Sequence, residues 1–368
     1  MIQSKIRIKT KNQSYNVIVG NNLIKDLLKI LKNNSINFNK CLLVIDSKVP
    51  KKFINKINFL LKKKNKFTYT FNSSEINRNQ KTIDKLLDIL LKKNFHRTDC
   101  LISIGGGITG DVSSFTASIF KRGIKFINIP TTLLAQVDSS IGGKTGINSK
   151  YGKNLIGSFY QPHLVISDTS FLKSLPKREI ICGYAEILKH SLIINKKFFT
   201  FLDKNADSIL KLKKPFLEKA IFKSCLIKKK IIEKDESEKN IRQILNFGHT
   251  FAHAFEATNN YSKKLNHGEA VILGINSAVK FSLQSKLLNR SIHDQILSHI
   301  NHLKLPNNLN KYFNKKKINS IIKFMKSDKK NNSININLIL LKDIGKPLIN
   351  LNFKINKIQS FLKKELIN

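Results

Sequence analysis

The sequence predicts an α/β chain in two parts: a parallel sheet covered by helices on both faces up to about residue 170, then a mainly α-helical region. Three observations predict it. Short β-rich runs alternate with helically spaced segments through the first half. A glycine-rich turn follows one of those strands and would open a helix. Beyond Phe171 the pattern changes to long amphipathic stretches of helical period. A chain of 368 residues that is 41% hydrophobic suffices for two cores.

Taken in order, Cys41–Asp46 reads as a buried strand ending in a carboxylate, 52–61 as a helix, Phe67–Phe71 as a strand and 80–91 as a helix. Leu101–Ile104 is a strand that runs into Gly105, Gly106 and Gly107. Lys125–Ile129 is another, ended by Pro130, and 163–168 closes the series. Helices are expected over 177–195, 215–233, 243–258, 267–288 and 290–303, which gives domains of 1–170 and 171–368. A β-like run at 334–341 does not fit an all-helical second half.

Composition excludes several classes. The formal charge of +42 invites a nucleic-acid or anionic-membrane partner. The lysines, however, are spread over the whole chain, as in 62–64, 228–230 and 315–317, without interleaved stacking aromatics and with no Trp. They belong on solvated faces, and neither nucleic acid nor membrane is an expected partner. No run of about 18 apolar residues appears, which argues against a membrane span, and the first residues lack the apolar core of a secretory signal. Cys41, Cys100, Cys182 and Cys225 form no C-x-x-C pair, so a reduced, cytoplasmic location is expected.

His249, His253 and Glu256 would share one helical face and could converge on a metal or a substrate, and His267-Gly268-Glu269 follows soon after. Partly buried histidines packed on phenylalanines are the plainer reading; imidazole plus carboxylate is what a zinc-like ion requires. Gly105 to Gly110, with Ile108, Thr109 and then Asp111, satisfies G-x-G-x-x-G after a strand, a spacing that suits a phosphate or merely tight helix–strand packing. The acidic residue about 20 positions on that an ordinary dinucleotide fingerprint wants is missing. A second glycine loop, 138–145, lacks the first glycine of a P-loop, because Asp138 stands there. It reads as a flexible turn presenting Asp138, Lys144, Lys153 and Asn154, either to a phosphorylated ligand or simply to water. Glu186 and Lys189 share a helical face, a common and weak pairing. Glu238, Arg242 and Asn246 run at four-residue intervals into the helix expected to carry His249.

In this order these segments resemble the 3-dehydroquinate synthase family, from about Asp46 to Val271. The most specific stretches are 130–145, 152–157, 245–250 and 267–271. The resemblance implies a Rossmann-like NAD-binding domain followed by a helical metal-binding domain, with the active site in the cleft between them. It implies zinc or cobalt on Glu186, His249 and His267. NAD would lie against Asp46, Glu75, Arg78, Gly107, Ile108, Thr109, Gly110, Asp111, Thr131, Thr132, Lys144 and Lys153. Substrate contacts would come from Arg122, Asp138, Lys144, Asn154, Lys189, Lys228, Arg242 and Asn246, and from a lysine of 328–330. His253 and Glu238 would do acid–base work, with Lys144 and Lys189 beside the reacting groups. The implied reaction converts 3-deoxy-D-arabino-heptulosonate 7-phosphate to 3-dehydroquinate and phosphate, in the shikimate route to chorismate and aromatic amino acids. A homodimer is compatible with it. Two departures stand out: Arg78 where the family usually has lysine, and Thr109 where a branched apolar residue is common.

Overall fold

A computed structural model of the chain describes residues 4–11, 13–326 and 335–366. It divides into two units, Met1–Pro176 with Leu217–Ser237, and Lys177–Phe216 with Glu238–Asn368.

Unit 1 begins with an antiparallel pair, β1 (Ser4–Lys9) and β2 (Ser14–Gly20). Then α1 (Leu27–Asn33), β3 (Lys40–Asp46), α2 (Lys51–Leu60), β4 (Asn65–Phe71), α3 (Gln80–Lys92), β5 (Cys100–Gly105), α4 (Gly107–Ile119) and β6 (Lys125–Pro130) alternate. A π-helical turn at Ala135–Ser139 leads into a separate hairpin, β7 (Lys144–Ser149) with β8 (Gly152–Phe159), before β9 (Leu164–Asp168). The seven-stranded sheet has the order β1-β2-β9-β6-β5-β3-β4. Every pairing in it is parallel except that of β1 with β2.

The unbroken apolar runs have a direct cause. Cys41, Leu43 and Ile45 of β3 enter a core with Leu27, Ile30, Ile57 and Leu61 of the α1–α2 side. Leu42 and Val44 enter a second core with Ile83, Leu86, Leu90, Val112 and Phe115 of α3 and α4. A strand covered on both faces has no polar side, and each fully buried aliphatic side chain contributes ~1.5–3 kcal/mol. The loop 138–145, expected as a flexible turn, is ordered instead: a π-turn carries Asp138, and Lys144 already begins β7.

The chain then passes through α5 (Lys177–Ile194) and α6 (Lys196–Leu210) of unit 2 and returns to unit 1 for α7 (Phe216–Lys234). This differs from a single cut at residue 170. Helix α7 is tied to the sheet unit by polar anchors: the backbone N–H of Lys9 donates to Glu233 (2.7 Å), Gln161 Nε2 to Glu236 (2.7 Å), and Lys228 Nζ to the Asp138 carbonyl (2.5 Å). None of these contacts leaves a mark in the periodicity of the helix itself.

In unit 2 the segment expected as one helix over 243–258 is broken. Ile241–Asn246 is a 3-10 turn, and α8 (His249–Thr258) starts anew after Gly248, whose φ is +77°. Arg242 and Asn246 therefore do not continue the helical face of His249. The unit adds α9 (His267–Gln284), α10 (Arg290–His302) and α11 (Ile318–Lys326), close to the expected bounds where bounds were expected. The late β-like run is β10 (Asn335–Asp343), paired with β11 (Lys346–Lys354) and followed by α12 (Ile355–Glu365). The hairpin is fastened to the helices, since Gly345 N–H donates to the Leu192 carbonyl (2.7 Å) and Leu341 N–H to Ser282 Oγ (3.2 Å).

Candidate active site

Glycine governs how the helices of unit 2 meet. A Cβ on Gly268, in the first turn of α9, would lie 2.1 Å from the Cα of Cys182 on α5. A Cβ on Gly274 would lie 2.2 Å from the carbonyl oxygen of Gly248, just before α8. The three helices thus touch backbone to backbone, which brings Glu186 of α5, His249 of α8 and His267 of α9 together. Their ligand atoms all lie within 4.8 Å of one another.

The orientation of those atoms is as informative as their distance. His249 Nδ1 is 3.2 Å from the Phe247 carbonyl, and His267 Nδ1 is 3.1 Å from Glu256 Oε2. Both partners are acceptors, so both rings donate through Nδ1 and turn Nε2 inward; burial works against charge on His267, yet Glu256 and Glu186 push its imidazolium up to about 10, so an ion bound there would displace the Nε2 proton. These Nε2 atoms are 3.4 and 3.7 Å from Glu186 Oε1. Burial works against ionisation of Glu186, yet Lys189, His249 and His267 hold its carboxyl well below the ordinary range. Two imidazoles and an ionised carboxylate with converging ligand atoms fit a zinc-like ion. Glu269, by contrast, is not available as a ligand. It forms a capping box with Asn266 (2.8 and 2.9 Å) and is gripped by Arg178 of α5 at 2.7 and 2.6 Å.

His253 stands one turn beyond His249, with ring centroids 5.3 Å apart. Burial, reinforced by His249, holds its imidazolium down to about 3, so the ring is a neutral base. Lys189, almost fully buried, is paired with Glu186. Asn246 Nδ2 donates to Glu238 Oε1 (2.9 Å), and Arg242 is buried in the 3-10 turn.

In unit 1 the expected cofactor residues collect at the carboxyl ends of β3, β5 and β6, where open parallel sheets bind their ligands. A Cβ on Gly105 would meet Thr109 at 2.5 Å and Asp46 at 2.9 Å; one on Gly106 would meet Thr132 at 3.2 Å. Asp46 and Thr131 are buried here, and Gly107, Ile108 and Gly110 form the first turn of α4, whose free N–H groups favour a phosphate. Arg78 donates to Asp111 Oδ2 (2.5 Å) and, through Nε, to the Gly146 carbonyl (3.0 Å). Burial nevertheless pushes the Asp111 carboxyl up to about 7, with Arg78 pulling the other way. Glu75 lies 3.8 Å from both Arg78 and Lys153 and accepts from Asn148 (2.7 Å). Lys228 pairs with Asp138 at 2.9 Å.

Other expected residues lie on the hairpin or are exposed. Lys144, at the start of β7, lines a small cavity with Gly110 and Asp111, and Asn154, exposed on β8 with a φ of +56°, donates its N–H to Asn148 Oδ1 (3.1 Å). Arg122 sits on a left-handed turn (φ 63°), exposed and without a hydrogen bond or ion pair among the described residues. The lysines of 328–330 lie outside the described residues. Sequence reasoning missed Arg178 and placed Glu256 only on the face shared with His249 and His253; the Asn266-x-x-Glu269 capping box was the one readable signal for the Glu269 cap.

This chain resembles solved proteins of one plan, a parallel-sheet unit followed by a helical one. A 2-deoxy-scyllo-inosose synthase in complex with carbaglucose-6-phosphate, NAD+ and Co2+ superposes with a TM-score of 0.89 over 98% of this chain and 100% of its own, at 24% identity. The 2-epi-5-epi-valiolone synthase of Streptomyces hygroscopicus, with NAD+ and Zn2+ bound, gives 0.86 over 97% and 98%, at 22% identity. At such identities the likeness shows the fold alone, the class of chains that join a parallel-sheet unit to a helical one. Within that class the chain belongs to the 3-dehydroquinate synthase family. The model of the 3-dehydroquinate synthase N-terminal part matches residues 68–182 and that of the C-terminal part 183–331. A 3-dehydroquinate synthase of Pelagibacter ubique is 61% identical over 98% of both chains.

Proposed function

We propose that this chain catalyses the 3-dehydroquinate synthase reaction, converting 3-deoxy-D-arabino-heptulosonate 7-phosphate to 3-dehydroquinate and inorganic phosphate. The near full-length identity to a synthase of that name carries the reading. The converging ligand atoms of Glu186, His249 and His267 support it independently.

NAD held by the unit 1 residues would supply reversible hydride transfer at substrate carbon 5, with no net redox change. Glu186, His249 and His267 would hold a divalent ion, which would supply Lewis acidity for the oxidation at that carbon. The chain's own groups do the rest. His253, held neutral, relays the proton of the C5 hydroxyl onward, and Glu238 is the second acid–base group. Lys189, Arg242 and Asn246 of unit 2, and Arg122, Asp138, Lys144, Asn154 and Lys228 of unit 1, anchor the phosphate, carboxylate and hydroxyl groups. Asp46, Glu75, Arg78, Gly107, Ile108, Thr109, Gly110, Asp111, Thr131, Thr132, Lys144 and Lys153 line the NAD cradle.

Phosphate release from the heptulosonate phosphate, assayed with and without NAD and with and without a chelator, tests the proposal. Release that needs neither would sink it. His249→Ala and Glu186→Ala should lose metal and activity together. His253→Ala should keep stoichiometric metal while kcat falls by roughly 10²–10⁴-fold; loss of metal there would reassign the residue. Among the described residues no helix is long and apolar enough to cross a membrane, in keeping with a cytoplasmic enzyme. Leu155 and Ile156 are exposed on β8, a surface that suits contact with a second copy; light scattering that finds a monomer at micromolar concentration would exclude it.

A further inference from the structure

Helix α8 carries three chemically active side chains, and the reaction above uses only two of them. Glu256 is buried, seven residues beyond His249 and three beyond His253. Its Oε2 lies 3.1 Å from His267 Nδ1, on the side of the ring turned away from Glu186. A carboxylate in that position fixes the tautomer and the ring plane of an imidazole and makes its other nitrogen a stronger donor. Among the described residues His249 has no such carboxylate, its Nδ1 meeting the Phe247 carbonyl at 3.2 Å. His267 is also the more exposed of the two rings, its side chain 34% accessible against 11% for His249. A ring with solvent on one side is the one most in need of an anchor. Glu256 further places a second carboxylate charge, after that of Glu186, around a divalent ion.

The geometry points to Glu256 as a positioning residue for the metal: it holds His267 with Nε2 aimed at the ion and raises the affinity of the site. This rests on Glu186, His249 and His267 being the ligands. The test compares wild type, Glu256→Gln, Glu256→Ala and, as control, His249→Ala. Zn2+ affinity is measured by competition with a chromophoric chelator, Co2+-loaded protein by its visible absorption bands, and metal-free protein by its thermal midpoint. Glu256→Gln should leave the metal-free midpoint nearly unchanged, weaken Zn2+ binding by about 10–100-fold and shift the Co2+ bands, because Gln keeps the shape and loses the charge. Glu256→Ala should weaken binding at least as much. Zn2+ affinity within about threefold of wild type, with superimposable Co2+ bands, would overturn the inference. If His249→Ala also kept tight Zn2+, the ligand set itself would fall instead.

Discussion

Two residues that depart from the family pattern behave differently once placed. Arg78 keeps a cation beside the cofactor cradle but uses its planar fork, one nitrogen on Asp111 and another on the Gly146 carbonyl, which a lysine ammonium could not reproduce. Thr109 is fully buried against Gly105, and its hydroxyl has no hydrogen-bond partner among the described residues. An unsatisfied buried hydroxyl costs about 1–3 kcal/mol. Thr109→Val, isosteric and apolar, should therefore raise the unfolding free energy of the NAD-free chain by about 1 kcal/mol in urea titrations. Asp111 gives a pH signature. Its carboxyl binds a proton more tightly folded than unfolded, so the stability this contributes is complete below the unfolded value near 3.8 and is lost as pH rises through about 7. Relative to Asp111→Asn, the wild type should lose unfolding free energy between about pH 4 and 7; parallel curves would exclude the buried, raised carboxyl. The sequence could offer the identities of these residues but not their state, since burial and the partner 33 positions away decide both.

Elements with strong periodicity were the legible part. Strands β3, β5, β6 and β9 and helices α2, α3, α5, α9 and α10 lie where apolar spacing puts them, because spacing reflects which face is covered. The misses are elements whose cause is elsewhere. One is the break before α8, imposed by a left-handed glycine; another is strand β11, whose polar face and Pro347 suppress the β signal while β10 supplies its pairing partner. The metal site was legible as residue types and motif order, whereas its cause, the glycine contacts between α5, α8 and α9, was not. That cause can be tested. Gly268→Ala forces a methyl to within 2.1 Å of the Cys182 backbone, which should cost about 3 kcal/mol in chemical denaturation. It should also weaken Zn2+ binding, because His267 is the neighbouring residue; unchanged affinity would mean that the close approach does not set the ligand geometry.

At the scale of the whole molecule the charge of +42 is the property that neither strands nor sites explain. A field of that sign concentrates anionic molecules around the protein and is screened over about 10 Å at 0.1 M salt. For a substrate carrying both phosphate and carboxylate, kcat/KM should fall roughly tenfold between about 0.02 and 0.3 M salt. A flat salt profile would assign the lysines to solvation alone. The return of α7 to the sheet unit has a consequence in time. That unit is discontinuous: residues through Pro176 are joined by Leu217–Ser237 only later in the chain. Roughly 60 further residues must leave the ribosome first, which at about 5–20 residues per second is a delay of several seconds. During translation the nascent sheet thus passes through a stage at which the groups later bound by α7 are still open, and a chaperone is best placed to meet the chain there.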